Sequence, residues 1–254
     1  MSSALPPEIL DLILDHVRYE RTTLKACCIV SKPWIQRTRR HLFARVEFHA
    51  SRSHIKLWKK TFPDPSNSPA HHTRHLIIYG LSVVTAADAD VGGWICAFHN
   101  VVRLYLQPFC SEGHQVPLVP FHGLSPSLRS LHLTFTSPEV LDLICSFPLL
   151  ENLALAPLGS GSDTWNTPST SPKLTGSLDL KAFGTIRPVA RRLVGLPGLY
   201  FTKITIAYLN EDVESVADLV SKCSNTLKYL DIRYRAPGEF PFGLYEWSMP
   251  YCHP

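Results

Sequence analysis

Two cysteine–histidine pairs have the spacing of zinc ligands. Cys96 is followed by His99, and Cys110 is followed by His114. Tetrahedral Zn²⁺ prefers thiolate and imidazole groups, so the four side chains would form one site if the fold brought them together. The pattern predicts otherwise, because the first pair ends a helix and the second follows the next strand. We therefore expect neither a metal site nor a cofactor.

Other residue types that carry catalysis lack the arrangement that catalysis needs. The stretch GSGSD at 159–163 has neither the Lys-Ser/Thr of a phosphate-binding loop nor the spacing of a nucleophile elbow. The histidines between 71 and 75 form a loose cluster that fits a solvated surface better than a ligand set. Glu211 and Asp212 lie where acids stabilise the start of a helix. The sequence thus predicts a protein that is not an enzyme.

The composition predicts a folded protein that works inside the cell. Hydrophobic residues make up 45% of the 254 and charged residues 18%. No apolar run approaches the roughly 20 residues that span a bilayer, and acids interrupt the opening segment, unlike a secretory signal. The seven cysteines are odd in number and scattered, which favours a reducing compartment. We expect a cytoplasmic or nuclear protein with no membrane partner.

Basic residues are concentrated near the start of the chain. Lys and Arg outnumber Asp and Glu by 13 to 6 up to Gly80, whereas the remainder holds 12 and 15. The excess is densest at 37–45 and at Lys56, Lys59 and Lys60. Such a patch can bind nucleic acid, with an affinity that falls steeply with salt. We favour a solvated surface beside an acidic protein partner, and expect no nucleic-acid ligand.

The first 42 residues predict three short helices. In the first helix, apolar residues recur at helical spacing on one side, from Ile9 to Val17. A second apolar run covers 24–30, and a third helix begins after Ser31, with Trp34 on its buried side. The apolar stripe of the first helix must be covered by the protein's own body, by a membrane or by another protein.

After residue 42, a short apolar pattern repeats eight times. Its template is an apolar residue, two others, an apolar residue, one other and a third apolar residue. The central residues follow one another at intervals of 22 to 30. They are Val46, Leu76, Leu104, Leu131, Leu153, Leu178, Ile204 and Leu230. Such a period is typical of leucine-rich-repeat solenoids, in which short parallel strands alternate with returning segments.

We therefore predict an α/β fold, in which a helical module (1–42) is followed by an irregular solenoid of about eight strand–helix units (43–236). Residues 237–254 would form a tail or a cap. Helices are expected at 137–147 and at 210–223, the latter capped by Asn210.

Residues that alternate with the buried positions of each strand should line the concave face of such a solenoid. They form a mixed polar surface with two tyrosines, which suits protein recognition, although an ordinary solvated sheet face has a similar composition. The candidates for target binding are His75, Arg103, Tyr105, His132, Asn152, Asp179, Lys203, Tyr229 and Asp231.

The opening segments LPPEILDLIL and LKACCIVSKPW resemble the F-box motif. The matching positions are Leu5, Pro6, Glu8, Ile9, Ile13, Leu14, Leu24, Val30, Ser31, Lys32 and Trp34. With the repeats that follow, the chain resembles the fungal F-box proteins that carry degenerate leucine-rich repeats. The usual Asn or Cys after each repeat strand is absent at most positions, so we expect an irregular array.

The resemblance implies a non-catalytic substrate receptor of a ubiquitin ligase. In that family the helical module binds a Skp-type adaptor, which joins it to a cullin, and the repeats hold the protein to be ubiquitylated. Carried over, the positions that contact the adaptor or support that surface are Leu5, Pro6, Ile9, Ile13, Leu24, Val30 and Trp34. The alternative is a repeat-based interaction scaffold without ligase coupling, in which these side chains are covered within the chain.

Overall fold

Eight short strands form one sheet, and each strand lies beside its neighbour in sequence. The computed structural model describes residues 6–49, 54–81, 94–108, 121, 124, 126–135, 140–157, 173–181 and 185–234. All seven neighbouring strand pairs are parallel. The strands are β1 (Arg45–His49), β2 (His75–Leu81), β3 (Arg103–Pro108), β4 (Ser130–Phe135), β5 (Asn152–Pro157), β6 (Leu174–Leu180), β7 (Leu199–Tyr208) and β8 (Tyr229–Tyr234). The predicted α/β class and the predicted strands are confirmed.

Seven α-helices occur within the described residues. Three precede the sheet, as predicted, and the others lie between strands. The helices are α1 (Pro7–His16), α2 (Arg21–Cys27), α3 (Lys32–Leu42), α4 (His54–Thr61), α5 (Val140–Cys145), α6 (Arg187–Gly195) and α7 (Val213–Cys223). Short 3₁₀ turns at Pro65–Asn67, Pro69–His72, Cys96–Phe98 and Asn210–Asp212 complete the connections. The predicted tail or cap at 237–254 lies outside the described residues.

The central residues of the repeated template form one continuous row across the sheet. Val46 pairs with Leu76, and the row continues strand by strand in register to Leu230. All but Leu230 are buried, and helices α4 to α7 pack apolar side chains against this side of the sheet. At the last strand, Leu230 and Ile232 stay exposed. The pattern thus places the hydrophobic core on one face of the sheet.

One irregularity of the repeat corresponds to a break in strand pairing. The template of the sixth strand is one residue longer than the others, running from Leu174 to Leu178. The register between β6 and β7 shifts between Gly176 and Ser177. Gly176 has a φ of 81°, and a Cβ there would lie 2.0 Å from the carbonyl oxygen of Glu151. Only glycine fits this positive φ and this close approach of β5.

The first three helices have a small core of their own. Leu10, Leu14 and Leu24 are buried together, and Trp34 packs partly buried against them. Helix α3 begins directly after Ser31, as predicted. This core is separate from the core beneath the sheet. The helical module therefore has an interior distinct from that of the sheet.

Buried Asp212 joins the starts of helices α6 and α7. Its carboxylate accepts hydrogen bonds from the backbone N–H groups of Ile186 (3.1 Å), Arg187 (3.0 Å) and Leu209 (3.1 Å) and from the Thr185 hydroxyl (2.6 Å). The prediction that Asn210 caps this helix is wrong, because residues 210–212 form a 3₁₀ turn and α7 begins only at Val213. The acid expected to stabilise one helix start thus stabilises two.

Candidate functional site

Helix α1 has two apolar sides rather than one. Leu10 and Leu14 point into the core of the module, with relative exposures of 6% and 0%. Ile9, Leu12 and Ile13 point outward and are 42%, 65% and 39% exposed. Both sets repeat at three or four residues, so each occupies its own side of the helix. Within the described part of the chain, one apolar side of α1 is thus buried in the module and the other is exposed.

The turn between α2 and α3 presents a second apolar group. Ile29 and Val30 are 87% and 64% exposed. A single aliphatic side chain this exposed is normal on a protein surface, whereas large contiguous apolar patches are typical of binding surfaces. The described part of the module therefore carries outward aliphatic side chains on α1 and on this turn.

The residues predicted to contact or support an adaptor surface lie in three different environments. Pro6, Ile9, Ile13 and Val30 are on the surface. Leu24 is fully buried, so it supports the surface from within and has nothing left to contact a partner. Trp34 is half-buried, and Leu5 lies outside the described residues.

Two outward residues, Leu12 and Ile29, are missing from the predicted set. Leu12 lies three residues after Ile9 and one before Ile13, so the helical spacing itself places it on their side. The spacing of apolar residues along α1 therefore already indicated Leu12, although that spacing had been assigned to a single apolar stripe.

Part of the basic stretch at 37–45 is used inside the module. The Arg37 guanidinium lies 2.8 Å from the Asp11 carboxylate and donates a hydrogen bond to the carbonyl of Pro7 at 2.6 Å. His41 lies 3.7 Å from Asp15 on the same helix. These contacts hold α3 against α1 and leave the outward side of α1 free. Arg37 is therefore a structural residue of the module.

All nine candidates for target binding lie on the face of the sheet opposite the hydrophobic core, here called the polar face. His75, Arg103, Asn152, Lys203 and Tyr229 belong to one row that crosses the strands in register. The remaining four, Tyr105, His132, Asp179 and Asp231, belong to the next row. The alternation of each strand is therefore enough to bring together residues that are far apart in sequence.

Four rings contact one another in sequence across the first four strands of the polar face; the His49–Tyr79 pair is stacked and the other two pairs are tilted. Ring centroids are 4.8 Å apart for His49 and Tyr79, 5.4 Å for Tyr79 and Tyr105, and 4.4 Å for Tyr105 and His132. We call these four residues the ring ladder. Burial raises the pKa of Tyr79 to about 12 and lowers that of His132 to about 4, so both rings are neutral near physiological pH. The ladder offers a rigid, largely apolar platform.

The ring ladder was only half visible in the sequence. Tyr105 and His132 were among the predicted residues, but His49 and Tyr79 were not, although they continue the same alternation on β1 and β2. Ile77, beside Tyr105 in the same row, is buried although it lies on the polar face. Side chains of neighbouring strands decide how much of each residue is exposed, and the sequence alone does not contain that information.

At the other end of the polar face, charged groups are engaged with one another. Lys181 lies 3.5 Å from Asp179, and Arg233 lies 2.8 Å from Asp231. The ammonium of Lys203 lies 5.0 Å from the centre of the Tyr229 ring. Burial raises the pKa of Asp179, while Lys181 opposes that effect. Strands β6 to β8 thus present a surface whose charges are largely neutralised from within.

The metal and loop motifs considered in the sequence can be located only in part. Within the described residues, no group of three or more histidine, cysteine, aspartate or glutamate side chains could hold a metal. Cys96 and His99 are exposed, while Cys110, His114 and the stretch 159–163 lie outside the described residues. Asp212 is used for structure, as shown above. The side chains of the polar face can pair with charged groups and pack against rings.

Comparison of the sequence with protein-family models and with curated proteins gave no match. None of the helices that the structure describes has the length and apolar content needed to cross a bilayer.

Proposed function

We propose that the protein is a substrate receptor of a ubiquitin ligase, in which the helical module binds a Skp-type adaptor and the sheet binds the protein to be modified. The observation that carries this proposal is the outward apolar side of α1, formed by Ile9, Leu12 and Ile13. The proposal accounts for a helix that is apolar on two sides, since one side packs within the module and the other meets the adaptor.

The exposed residues agree with the motif that the sequence resembles. Val30 and Ser31 of the Val-Ser-Lys-x-Trp segment lie at the turn before α3, and Val30 points outward beside Ile29. Full burial of an exposed isoleucine or leucine contributes about 1.5 to 3 kcal/mol, so covering both outward groups would supply part of the free energy that offsets the cost of association. An adaptor contact on α1 and on this turn would use both outward groups.

The parallel order of the strands supports the second half of the proposal. Eight strands in sequence order and in register are the arrangement that a leucine-rich-repeat arc requires. Its concave side would be the polar face, which presents tyrosine, histidine and charged side chains to a target. The protein would work inside the cell, in the cytoplasm or nucleus, where cullin ligases act.

The proposed contribution to the reaction is proximity. A receptor that holds the target beside the ligase converts a bimolecular transfer into an effectively intramolecular one. No bond is made or broken by this chain. Its residues bind and orient, and the transfer of ubiquitin belongs to the other subunits.

The test is direct binding of the full chain to a purified Skp-type adaptor, measured by calorimetry. The double variant Ile9→Asp, Ile13→Asp should weaken binding by about 100-fold, because it places two charges at the centre of an apolar contact. The control is Leu57→Asp on α4, which introduces an aspartate at an exposed apolar residue outside the helical module and should bind normally. Circular dichroism of all three proteins checks that they are folded.

Two outcomes would contradict the proposal. The first is that the intact chain fails to bind the adaptor, which leaves a repeat-based scaffold without ligase coupling. The second is that the double variant binds as well as the control, which means that the outward side of α1 is not the contact. If circular dichroism shows that the double variant has lost its fold, the single variant Leu12→Gln makes the same test with a smaller change.

A further inference from the structure

Arg103 differs from Arg45, Lys181 and Arg233, each of which faces a carboxylate, and from Lys203, whose ammonium lies over the Tyr229 ring. Arg45 and Glu47 lie 3.7 Å apart on β1, and the pairs on β6 to β8 are described above. Arg103 is exposed at the start of β3, and within the described residues no carboxylate pairs with it. An exposed guanidinium can bind a carboxylate through two parallel hydrogen bonds. Arg103 is therefore available to a carboxylate from outside the chain.

The surroundings of Arg103 favour an anion. In the same row, His75 lies on the neighbouring strand and Arg45 on the strand after that. Burial lowers the pKa of His75, and the positive charges of Arg103 and Arg45 lower it further. The carboxylate of Glu47 is occupied, since it lies 2.8 Å from the His49 ring and also faces Arg45. The local field at His75, beside Arg103, is thus positive.

The ring ladder lies directly beside Arg103. Tyr105 is two residues further along β3 and points to the same side, so the two Cα atoms are about 7 Å apart. The Tyr79 ring on β2 contacts the Tyr105 ring at a centroid distance of 5.4 Å, with the ring planes inclined by 58°. Tyrosine and arginine are the residues that most often dominate the binding energy of protein interfaces, and rings that contact one another lose little freedom on binding. This is the part of the polar face where an unpaired charge and a rigid platform coincide.

We propose that the polar face binds a peptide segment of its target in which an Asp or Glu lies next to an aromatic residue. The carboxylate pairs with Arg103, and the aromatic ring packs on Tyr79 and Tyr105. That this segment belongs to a ubiquitylation target rests on the proposed function, whereas the binding itself does not.

Charge selects among the possible occupants of the platform. A lysine or arginine side chain also packs on tyrosine rings, but beside Tyr105 it would meet the repulsion of Arg103. An acidic segment without a ring would use Arg103 alone and leave the platform exposed. A peptide with an acid next to an aromatic ring would use both Arg103 and the tyrosine rings, at the two-residue spacing of Arg103 and Tyr105 on β3.

The test is selection of a phage-displayed library of random dodecapeptides on the purified full chain. Enriched peptides should carry Asp or Glu within two positions of Phe, Tyr or Trp. Synthetic copies should lose affinity about tenfold when the acid is replaced by its amide or the ring by alanine. The variant Arg103→Gln should show a similar loss. The matched control Arg233→Gln, at the arginine paired with Asp231, should bind normally.

Changes on the peptide keep the test valid even if a variant protein misfolds. Enrichment of basic peptides, enrichment of peptides without an acid, absence of any enrichment, or equal binding by Arg103→Gln would each overturn the proposal. Stronger binding of single-stranded DNA than of the selected peptides would also overturn it. Adaptor binding is measured on the same variants, and Arg103→Gln should retain it. If the intact chain binds the selected peptides but does not bind the adaptor, only the proposed ligase role is contradicted.

Discussion

The Asp212 carboxylate lies 3.0 Å from the backbone nitrogen of Arg187 and accepts its hydrogen bond, although 25 residues separate them in sequence. The same carboxylate accepts from three further donors, and Asp212 is fully buried. Asp212→Asn replaces one acceptor oxygen by an amide that faces N–H donors. Because unmet buried donors are costly, we expect the free energy of unfolding to fall by about 3 kcal/mol. Denaturant titration measures this change.

The neighbouring Glu211→Gln provides the control for Asp212. Its side chain is exposed, and only its backbone carbonyl is used, as the acceptor of hydrogen bonds from the Arg187 guanidinium. The free energy of unfolding of this variant should lie within about 0.5 kcal/mol of that of the parent. Equal stability of the two variants would show that the Asp212 carboxylate does not join the two helices.

Gly176→Ala should destabilise the protein through the backbone. The positive φ of Gly176 disfavours any L side chain, and the new Cβ would collide with the main chain of Glu151 rather than with a movable side chain. We expect a loss of about 3 kcal/mol in the free energy of unfolding. Gly195→Ala is the matched control, since nothing lies within 4 Å of a Cβ there. A loss as large in the control would contradict the role assigned to the β6 irregularity.

The repeated template predicted the strands correctly because burial on one face of a parallel sheet imposes an alternation that is visible in single residues. Val46 and Leu230 mark the first and last members of a row that the spacing alone located. The extra residue of the sixth unit accompanies the close approach of Glu151 to Gly176. Such a contact joins two strands and leaves no local pattern.

The sequence predicted the residues of the candidate site only where the alternation of side chains along a strand determines the face on which they lie. The nine residues of the polar face follow from the strand pattern, whereas the pairing of Asp231 with Arg233 depends on side-chain geometry. Likewise, the spacing of Ile9 and Leu10 indicated an apolar helix but not which of the two points outward. That choice is made by the packing of α3 against α1, which no short segment contains.

Helix α1 offers a direct comparison of its two apolar sides. Leu14→Ala removes a fully buried side chain from the module core and should lower the free energy of unfolding of the module by about 3 kcal/mol. Leu12→Ala truncates the same residue type two positions away, where it is 65% exposed, and should change stability by less than about 0.5 kcal/mol. Hydrogen exchange of the α1 amides measures both. Equal losses would mean that Leu12 is also covered within the chain.

His132 should make the stability of the protein fall as the pH falls. Burial holds its pKa at about 4 in the folded state, whereas the unfolded histidine has the ordinary value of 6.5, and the charge of Lys181 contributes to the shift. Between these values the unfolded state binds more protons, so the free energy of unfolding decreases as pH falls. The stability that neutral His132 contributes is complete above the unfolded pKa. It declines by on the order of 2 to 3 kcal/mol towards about pH 4.

His132→Gln removes this titration while keeping a polar side chain at the position. The difference in free energy of unfolding between the parent and this variant should therefore shrink steadily from about pH 7 to about pH 4. His72, whose pKa is also lowered to about 4, and His75 titrate in both proteins, so their effects cancel in the difference. His72→Gln should give a second difference with the same pH dependence. Denaturant titrations across this pH range measure both differences. If the difference between the parent and His132→Gln does not depend on pH, His132 is not held neutral by its place in the ring ladder.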